Sequence, residues 1–394
     1  MKQHTWMSVA GVAVLSLLMV FGGCKGEKGD TGPAGPQGPA GPQGPAGPAG
    51  TGFNLDGFAP NIRCGGCHTA DIDTVYYVAG RVYQWERSKH AYGGDIERNA
   101  NTCSGCHTTE GFIQRMKGQA PQTIVQPSPL GCFACHSPHA EGTFDLRSVT
   151  PVTIGSNITG VPDAIFDYGR GNLCVQCHQT RSMNPKPDPT KTGAQDSIVI
   201  TTTRWYSHYG VQGQMLMGTG GFQFQGYNYT GNSVHTNLST VRQEGCPTCH
   251  MSEPVGQGAG KAGGHTMNIH YDFDGVPTPL LTGCKQSGCH ASSMNTTDYV
   301  GVTTAPVGAQ TAIEHNLDTL FTLLGDKGWI DTVSTSANYG LAKLTNGRLV
   351  IRPAAKSGAL YNYLFIEHDL SRGVHNTKYA YELLRSSIEQ LRNP

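Results

Sequence analysis

One short pattern, present six times, constrains this chain more than any other feature. Two cysteines separated by two residues are followed directly by a histidine at residues 64–68, 103–107, 132–136, 174–178 and 246–250, and a sixth copy at 284–290 has four residues between its cysteines. C-x-x-C-H is the attachment signature of c-type haem, in which both thiols form thioethers with the porphyrin and the histidine is one axial ligand of the iron. The sequence therefore predicts six covalently bound haem c groups.

The six copies identify the attachment residues and the first axial ligands. The cysteines are Cys64, Cys67, Cys103, Cys106, Cys132, Cys135, Cys174, Cys177, Cys246, Cys249, Cys284 and Cys289, and the proximal histidines are His68, His107, His136, His178, His250 and His290. Zinc is a weaker explanation, because it needs four ligands closing on one ion rather than a histidine after every cysteine pair. Disulfides suit an exported protein but give no reason for the fixed histidine.

Composition indicates how such a chain is built. Lys and Arg together number 28, as do Asp and Glu, so the charge pattern does not indicate nucleic-acid binding. The chain has 37% hydrophobic residues and 53 glycines. We therefore expect a mostly irregular chain with short α-helices, a multihaem cytochrome c fold wrapped around six haems, with helices at the C-terminal end.

The N-terminal residues predict export. Lys2 is followed by an apolar run at residues 7–21, which is short for a membrane span and typical of a signal peptide, here residues 1–23. The next residue, Cys24, is the odd cysteine, and the sequence F-G-G-C before it resembles a bacterial lipobox. Two readings stay open, a lipid anchor on Cys24 or ordinary cleavage that leaves a spare thiol. Lys25, in place of the Asp that retains lipoproteins in the inner membrane, favours an outer-membrane lipoprotein.

A collagen-like stalk is predicted at residues 24–52. Every third residue from 26 to 50 is glycine, often followed by proline. Only glycine fits the axis of a triple helix, so the pattern is typical of a homotrimer, but it equally favours a monomeric polyproline II spacer of roughly 75 Å. Either structure would hold the remaining chain away from a membrane.

The rest of the chain divides into a hexahaem region at 53–300 and a C-terminal helical part at 301–394. Apolar residues at helical spacing predict two helices in the second part: Ile313, Leu317, Leu320, Phe321 and Leu324 before Gly325, and Ala380, Leu384, Ile388 and Leu391 after the possible N-cap Asn376. Neither contains a haem motif, and we expect both to support the last haems.

Each iron needs a sixth ligand, and that choice decides the function. Nine histidines of the mature chain lie outside the motifs: His90, His139, His208, His235, His265, His270, His315, His368 and His375. His139 follows His136 by three residues, which span at most about 10 to 11 Å, so we expect it to bind a neighbouring haem. His315 lies among polar residues of a predicted helix, and we expect it to face solvent.

Several segments resemble the large extracytoplasmic multihaem cytochromes c of metal- and nitrogen-respiring bacteria, over roughly 64 to 300 and 360 to 391. The similar elements are W-x-x-S-x-H at 85–90, C-F-A-C-H-S-P-H at 132–139, S-H-Y-G at 207–210, S-V-H at 233–235, C-P-T-C-H-M with G-H-T-M at 246–251 and 264–267, and G-V-H-N at 373–376. The resemblance implies six distal ligands, His90, His139, His208, His235, His265 and His375, with His270 and His368 in reserve.

Two histidines on every iron would leave no position for a substrate. The resemblance therefore implies a lipoprotein that carries electrons by outer-sphere transfer among bis-histidine haems, with other redox proteins and extracellular electron acceptors as partners. The alternatives are a reductase with one open haem, a subunit of a cytochrome filament, and a structural stalk. The C-x-x-C-K motif of ammonia-forming nitrite reductases does not occur in this sequence, so an electron carrier is favoured over an enzyme.

Overall fold

The computed structural model describes residues 68–92, 95–137, 144–229, 233–253, 256–286, 289–290, 292–300 and 307–393. All of them belong to the unit Phe53–Pro394. The predicted signal peptide and stalk, together with Cys24, Cys64, Cys67 and His139, lie outside the described residues.

The described part of residues 53–300 consists mostly of loops with short helices, as predicted. The described helices before residue 300 are α1 Val78–Trp85, α2 Lys89–Tyr92, α3 Ser104–His107, α4 Thr109–Met116, α5 Cys132–Cys135, α6 Gly171–Val175, α7 Gln212–Met217, α8 Val234–Asn237, α9 Ser239–Glu244 and α10 Pro247–His250. None is longer than 8 residues. Helices this short are marginal alone, so tertiary contacts have to hold them in place.

The described strands form three antiparallel two-stranded sheets. The strands are β1 Val152–Ile154, β2 Ala164–Phe166, β3 Ile198–Ile200, β4 His270–Phe273, β5 Val276–Pro279 and β6 Leu349–Ile351. They pair as β1 with β2, β3 with β6, and β4 with β5. The β3–β6 pair places Ile198 opposite Ile351 and so joins the part of the chain before residue 300 to the C-terminal part.

Three longer helices form the main hydrophobic core. They are α11 Ala309–Asp326, α12 Ser357–Asp369 and α13 Thr377–Arg392. The first and third lie where the sequence predicts helices, and Asn376 is the N-cap of α13, accepting a hydrogen bond from the Tyr379 amide. Helix α12 lacks an amphipathic pattern because it is buried almost all round.

Helix α12 packs closely on the chain before the fifth motif. A Cβ atom added at Gly358 would collide with the Phe222 ring, so glycine is what allows this ring to lie on the helix. One turn later, Asn362 accepts a hydrogen bond from the Phe222 amide at 2.7 Å and donates to its carbonyl at 2.8 Å. Helix α12 is therefore tied to the chain near residue 220 by close packing and two hydrogen bonds.

In the part of the chain that the structure describes, no helix has both the length and the apolar character needed to cross a membrane.

Candidate functional site

The attachment motifs share one backbone turn. We name them the first to the sixth segment: 64–68, 103–107, 132–136, 174–178, 246–250 and 284–290. In each segment from the second to the sixth, the histidine amide donates to the carbonyl of the first cysteine, at 2.9 to 3.2 Å. The sixth segment makes this bond, His290 to Cys284 at 3.0 Å, despite its two extra residues. The wide copy therefore brings its histidine to the same position relative to its first cysteine.

The ten described motif cysteines form no disulfide, and each is partly buried. Four of the segments lie on or against short helices, α3, α5, α6 and α10. Among the described residues, no three His, Cys, Asp or Glu side chains form a group that could hold a metal ion.

Five proximal histidines each have one distal candidate opposite them. The ring-centre distances are 6.2 Å for His107 and His208, 6.3 Å for His136 and His265, 6.2 Å for His178 and His90, 6.2 Å for His250 and His375, and 6.0 Å for His290 and His235. The remaining proximal histidine, His68, has no such described partner, and the remaining candidate, His139, lies outside the described residues.

These distances fit one metal ion between each pair of rings. A metal–imidazole bond is about 2 Å long. The centre of an imidazole lies about 1.1 Å behind its nitrogen, given ring bonds of about 1.35 Å. Two rings on opposite sides of one iron would therefore have centres roughly 6.3 Å apart. The five pairs match this spacing, so the residues fit bis-histidine haem iron.

Hydrogen bonds at Nδ1 leave Nε2 available in most of these rings. His136 Nδ1 lies 3.2 Å from the Asp145 carbonyl, His178 Nδ1 3.3 Å from Gln212 Oε1, His235 Nδ1 2.8 Å from the Val374 carbonyl, and His250 Nδ1 3.0 Å from the Met267 carbonyl. His68 and His375 have carboxylates at Nδ1, Asp73 at 3.4 Å and Asp369 at 2.7 Å. A partner at Nδ1 fixes ring and tautomer, as in metal-ligating histidines generally.

Burial keeps several of these imidazoles neutral, which is the form that binds a metal. Loss of solvent lowers the pKa of His90, His250 and His265 to about 4. His375 differs: burial lowers its pKa, but the Asp369 carboxylate outweighs this effect and leaves the pKa raised.

Helix α1 positions two distal candidates. The Trp85 indole donates to the Leu130 carbonyl at 2.9 Å and anchors the helix before His90. The side chain of Gln84 accepts from the His265 amide at 2.9 Å and lies where a Cβ atom on Gly264 would be. The nearby Met267 places its sulfur 3.0 Å from His90 Nδ1. These contacts bring the W-x-x-S-x-H and G-H-T-M elements together, although they are distant in sequence.

The fourth segment contacts three others. Cys177 lies beside Cys106 of the second segment, and Cys174 lies beside Cys246 of the fifth. Cys135 of the third segment packs in the same apolar cluster as Cys177. Glycines allow the close approach to the fifth segment, since a Cβ atom on Gly171 would lie 2.9 Å from the Gly245 Cα atom.

The outer segments each contact one neighbour. Cys249 of the fifth segment interacts electrostatically with Cys284 and Cys289 of the sixth. The Phe144 ring lies between the first and third segments, with its centre 5.9 Å from that of His68 and 6.3 Å from that of His136. The described contacts therefore follow the order first, third, fourth, fifth, sixth, with the second branching from the fourth.

The other three histidines outside the motifs have different surroundings. His270 is exposed on β4, and His315 is exposed on α11, as predicted. His368 is buried and packs against Tyr206 and Tyr209, with ring centres 4.8 and 4.4 Å away. None of the three has a proximal histidine opposite it among the described ring contacts.

Comparisons with known proteins identify polyhaem cytochromes as relatives. No family model matches the chain. It is 23% identical over 380 residues to the C-type polyheme cytochrome OmcB of Geobacter sulfurreducens, covering 81% of this chain and 46% of the relative. It is 24% identical over 361 residues to OmcC of the same species, covering 76% and 44%. The chain thus spans about half the length of the curated relatives it matches. The crystal structure of the outer cell wall cytochrome OcwA aligns with a TM-score of 0.45 and 18% identity, over 79% of this chain and 50% of OcwA.

Proposed function

We propose that this chain is a six-haem c-type cytochrome that transfers electrons by outer-sphere steps between bis-histidine haems. The relatives named as polyhaem c-type cytochromes imply covalently bound haem c and point to multihaem electron transfer. The observation that carries the proposal is the set of five histidine pairs with ring centres 6.0 to 6.3 Å apart.

The residues of the chain have two tasks in this function. The cysteines attach each haem, and the paired imidazoles would occupy both axial positions. Bound haem supplies the one-electron chemistry. Because a second imidazole stands opposite the first in five pairs, a substrate would have no vacant position there. Histidine rather than methionine in the second position favours low potentials.

Contacts between the attachment segments support a branched electron path. The fourth segment touches the second, third and fifth, so we propose its haem as the branch point. Electrons would pass between the first and sixth haems through the third, fourth and fifth, with the second haem as a side exit.

We further propose an outer-membrane lipoprotein anchored at Cys24, with the G-X-Y segment at 26–50 as its spacer. An anchor and spacer would hold the haem region within reach of other redox proteins. Multihaem cytochromes and extracellular electron acceptors are the partners that fit a carrier without a substrate site.

The purified, exported holoprotein tests the proposal. We expect its mass to exceed that of the processed chain by six haems, and its ferric EPR spectrum to show low-spin signals. A substantial high-spin signal would support the competing function, a reductase with one open haem. A mass without haem increments would refute both.

A further inference from the structure

The loop between α12 and α13 brings a buried carboxylate back to a distal histidine. Asp369, the last residue of α12, has a fully buried side chain whose Oδ1 lies 2.7 Å from His375 Nδ1. The other carboxylate oxygen accepts a hydrogen bond from the Ser371 hydroxyl. The same hydroxyl oxygen accepts from the His375 amide at 3.3 Å.

The backbone conformation of this loop brings Asp369 and His375 together. Leu370, Arg372 and Gly373 have φ values of +61°, +50° and +84°, in the left-handed region. Such a conformation is uncommon for non-glycine residues and needs surrounding contacts to hold it. At Gly373 a Cβ atom would lie 2.8 Å from Cγ1 of Ile313, so α11 packs directly on the loop. The carboxylate therefore has a fixed position at the imidazole.

The chemistry of this partner sets His375 apart. At His136, His178, His235 and His250, the group at Nδ1 is a neutral carbonyl or amide oxygen. His68 also has a carboxylate at Nδ1, but that contact is 3.4 Å long and the His68 side chain is 29% exposed.

A buried carboxylate at Nδ1 makes the imidazole a stronger electron donor to a metal at Nε2. A stronger donor stabilises ferric iron more than ferrous iron, because the ferric ion carries the larger charge. We infer that Asp369 is a positioning residue that lowers the reduction potential of the fifth haem, the one with His250 and His375 as its ligand pair. This inference rests on the proposed function.

The reduction potential of the fifth haem matters because this haem would lie between the fourth and the sixth haems on the proposed electron path. Its segment contacts the fourth at one end and the sixth at the other, so electrons moving between the branch point and the sixth haem would pass through it. A lowered reduction potential keeps the fifth haem oxidised while the neighbouring haems are reduced. Asp369 would then control how readily the sixth haem exchanges electrons with the rest.

The test is a potentiometric titration of the full holoprotein and its Asp369→Asn variant, followed in the haem absorption bands. Asparagine keeps an oxygen for the His375 Nδ1–H and removes the charge. We expect one of six haems, about one sixth of the amplitude, to titrate at a higher potential. Such partners are worth about 10- to 100-fold in metal affinity, and a tenfold difference in this effect between the ferric and ferrous forms corresponds to about 59 mV for a one-electron couple.

Two further variants make the result specific. Glu367→Gln removes one negative charge from the same helix, but this carboxylate pairs with Arg372 at 3.0 Å and its side chain is 35% exposed. We expect its titration to match the wild type. Ser371→Ala removes a hydrogen-bond donor from the Asp369 carboxylate, so the negative charge of the carboxylate acts more strongly on His375. We therefore expect the opposite shift, to a lower reduction potential of the fifth haem.

EPR adds a spectroscopic readout, because a weaker imidazole donor changes the largest g value of one low-spin signal. Equal titrations of Asp369→Asn and Glu367→Gln would overturn the inference, as would a shift of Ser371→Ala in the same direction as Asp369→Asn. If Asp369→Asn does not fold, the sign of the Ser371→Ala shift decides. A holoprotein with six haems and no such shifts would refute this inference alone, whereas a chain without haem would refute the proposed function.

Discussion

Replacing Asn376 by alanine tests how the C-terminal helices hold the last two ligand pairs. Its side chain is fully buried. The Oδ1 atom accepts hydrogen bonds from the Tyr379 amide at 3.3 Å and the Ser233 amide at 3.0 Å. The Nδ2 group donates to Thr236 Oγ1 at 3.0 Å. One residue thus caps α13 and ties it to both sides of His235.

The expected loss of stability follows from these three bonds. Loss of an N-cap costs about 1 kcal/mol. A buried amide left without an acceptor, here that of Ser233, costs about 1–3 kcal/mol. The Thr236 hydroxyl still bonds the Leu216 carbonyl, so its lost partner adds less than about 1 kcal/mol. The sum is about 3 kcal/mol, whereas the cap alone would account for about 1 kcal/mol.

Chemical denaturation of the holoprotein, followed by far-ultraviolet circular dichroism, measures this difference through the transition midpoint at constant slope. Lys378→Ala is the matched control, because Lys378 is exposed on the same helix and alanine is a good helix former. We expect no loss for the control. A loss of about 1 kcal/mol or less for Asn376→Ala would show that the bonds to Ser233 and Thr236 do not contribute, and would refute the reasoning.

Three other changes have defined outcomes. His208→Ala removes the imidazole opposite His107, so we expect a high-spin ferric EPR signal from one haem; an unchanged low-spin spectrum would contradict the pairing. Gly358→Ala forces a methyl group into the Phe222 ring and should destabilise the fold by about 1–3 kcal/mol, which a denaturation midpoint would detect. Burial raises the pKa of Asp298, but bonds from residues 310 and 311 outweigh it and leave the pKa below 3.8. Its stabilisation is therefore present above pH about 4 and lost as the pH falls through the lowered pKa, so the decrease in midpoint caused by Asp298→Ala should become smaller as the pH falls below about 4.

The C-terminal helices show what sequence patterns predict and where they stop. Apolar spacing locates α11 and α13, and Asn376 is a local cap that sequence reasoning identifies. Helix α11 ends at Asp326, one residue beyond the predicted stop at Gly325, and the left-handed glycine that follows is Gly328. The start of α11 could not be predicted, because its cap is Asp298, which accepts from the Gln310 amide at 2.7 Å from outside the helix.

The sequence pattern does not predict helix α12, for a different physical reason. Periodicity reveals a helix only when one face is polar, and α12 is buried on nearly all sides. The candidate site divides in the same way. Spacing within a motif is local and gives the cysteines and proximal histidines, whereas the opposing histidines depend on contacts between distant parts of the chain. Spacing therefore does not predict which distal histidine faces which motif, whereas the ring contacts pair five distal candidates with five motifs.

The sequence separation between the paired histidines bears on how a chain with so little regular structure can have a defined fold. The paired histidines lie about 55 to about 129 positions apart in the sequence, as His235 with His290 and His136 with His265 show. Closing loops of this length costs conformational entropy that helices of 4 to 8 residues do not recover. A haem attached to one segment and ligated by another would act as a crosslink across each loop. In the proposed function, the ligand pairs would therefore help to hold the fold together while the haems carry electrons.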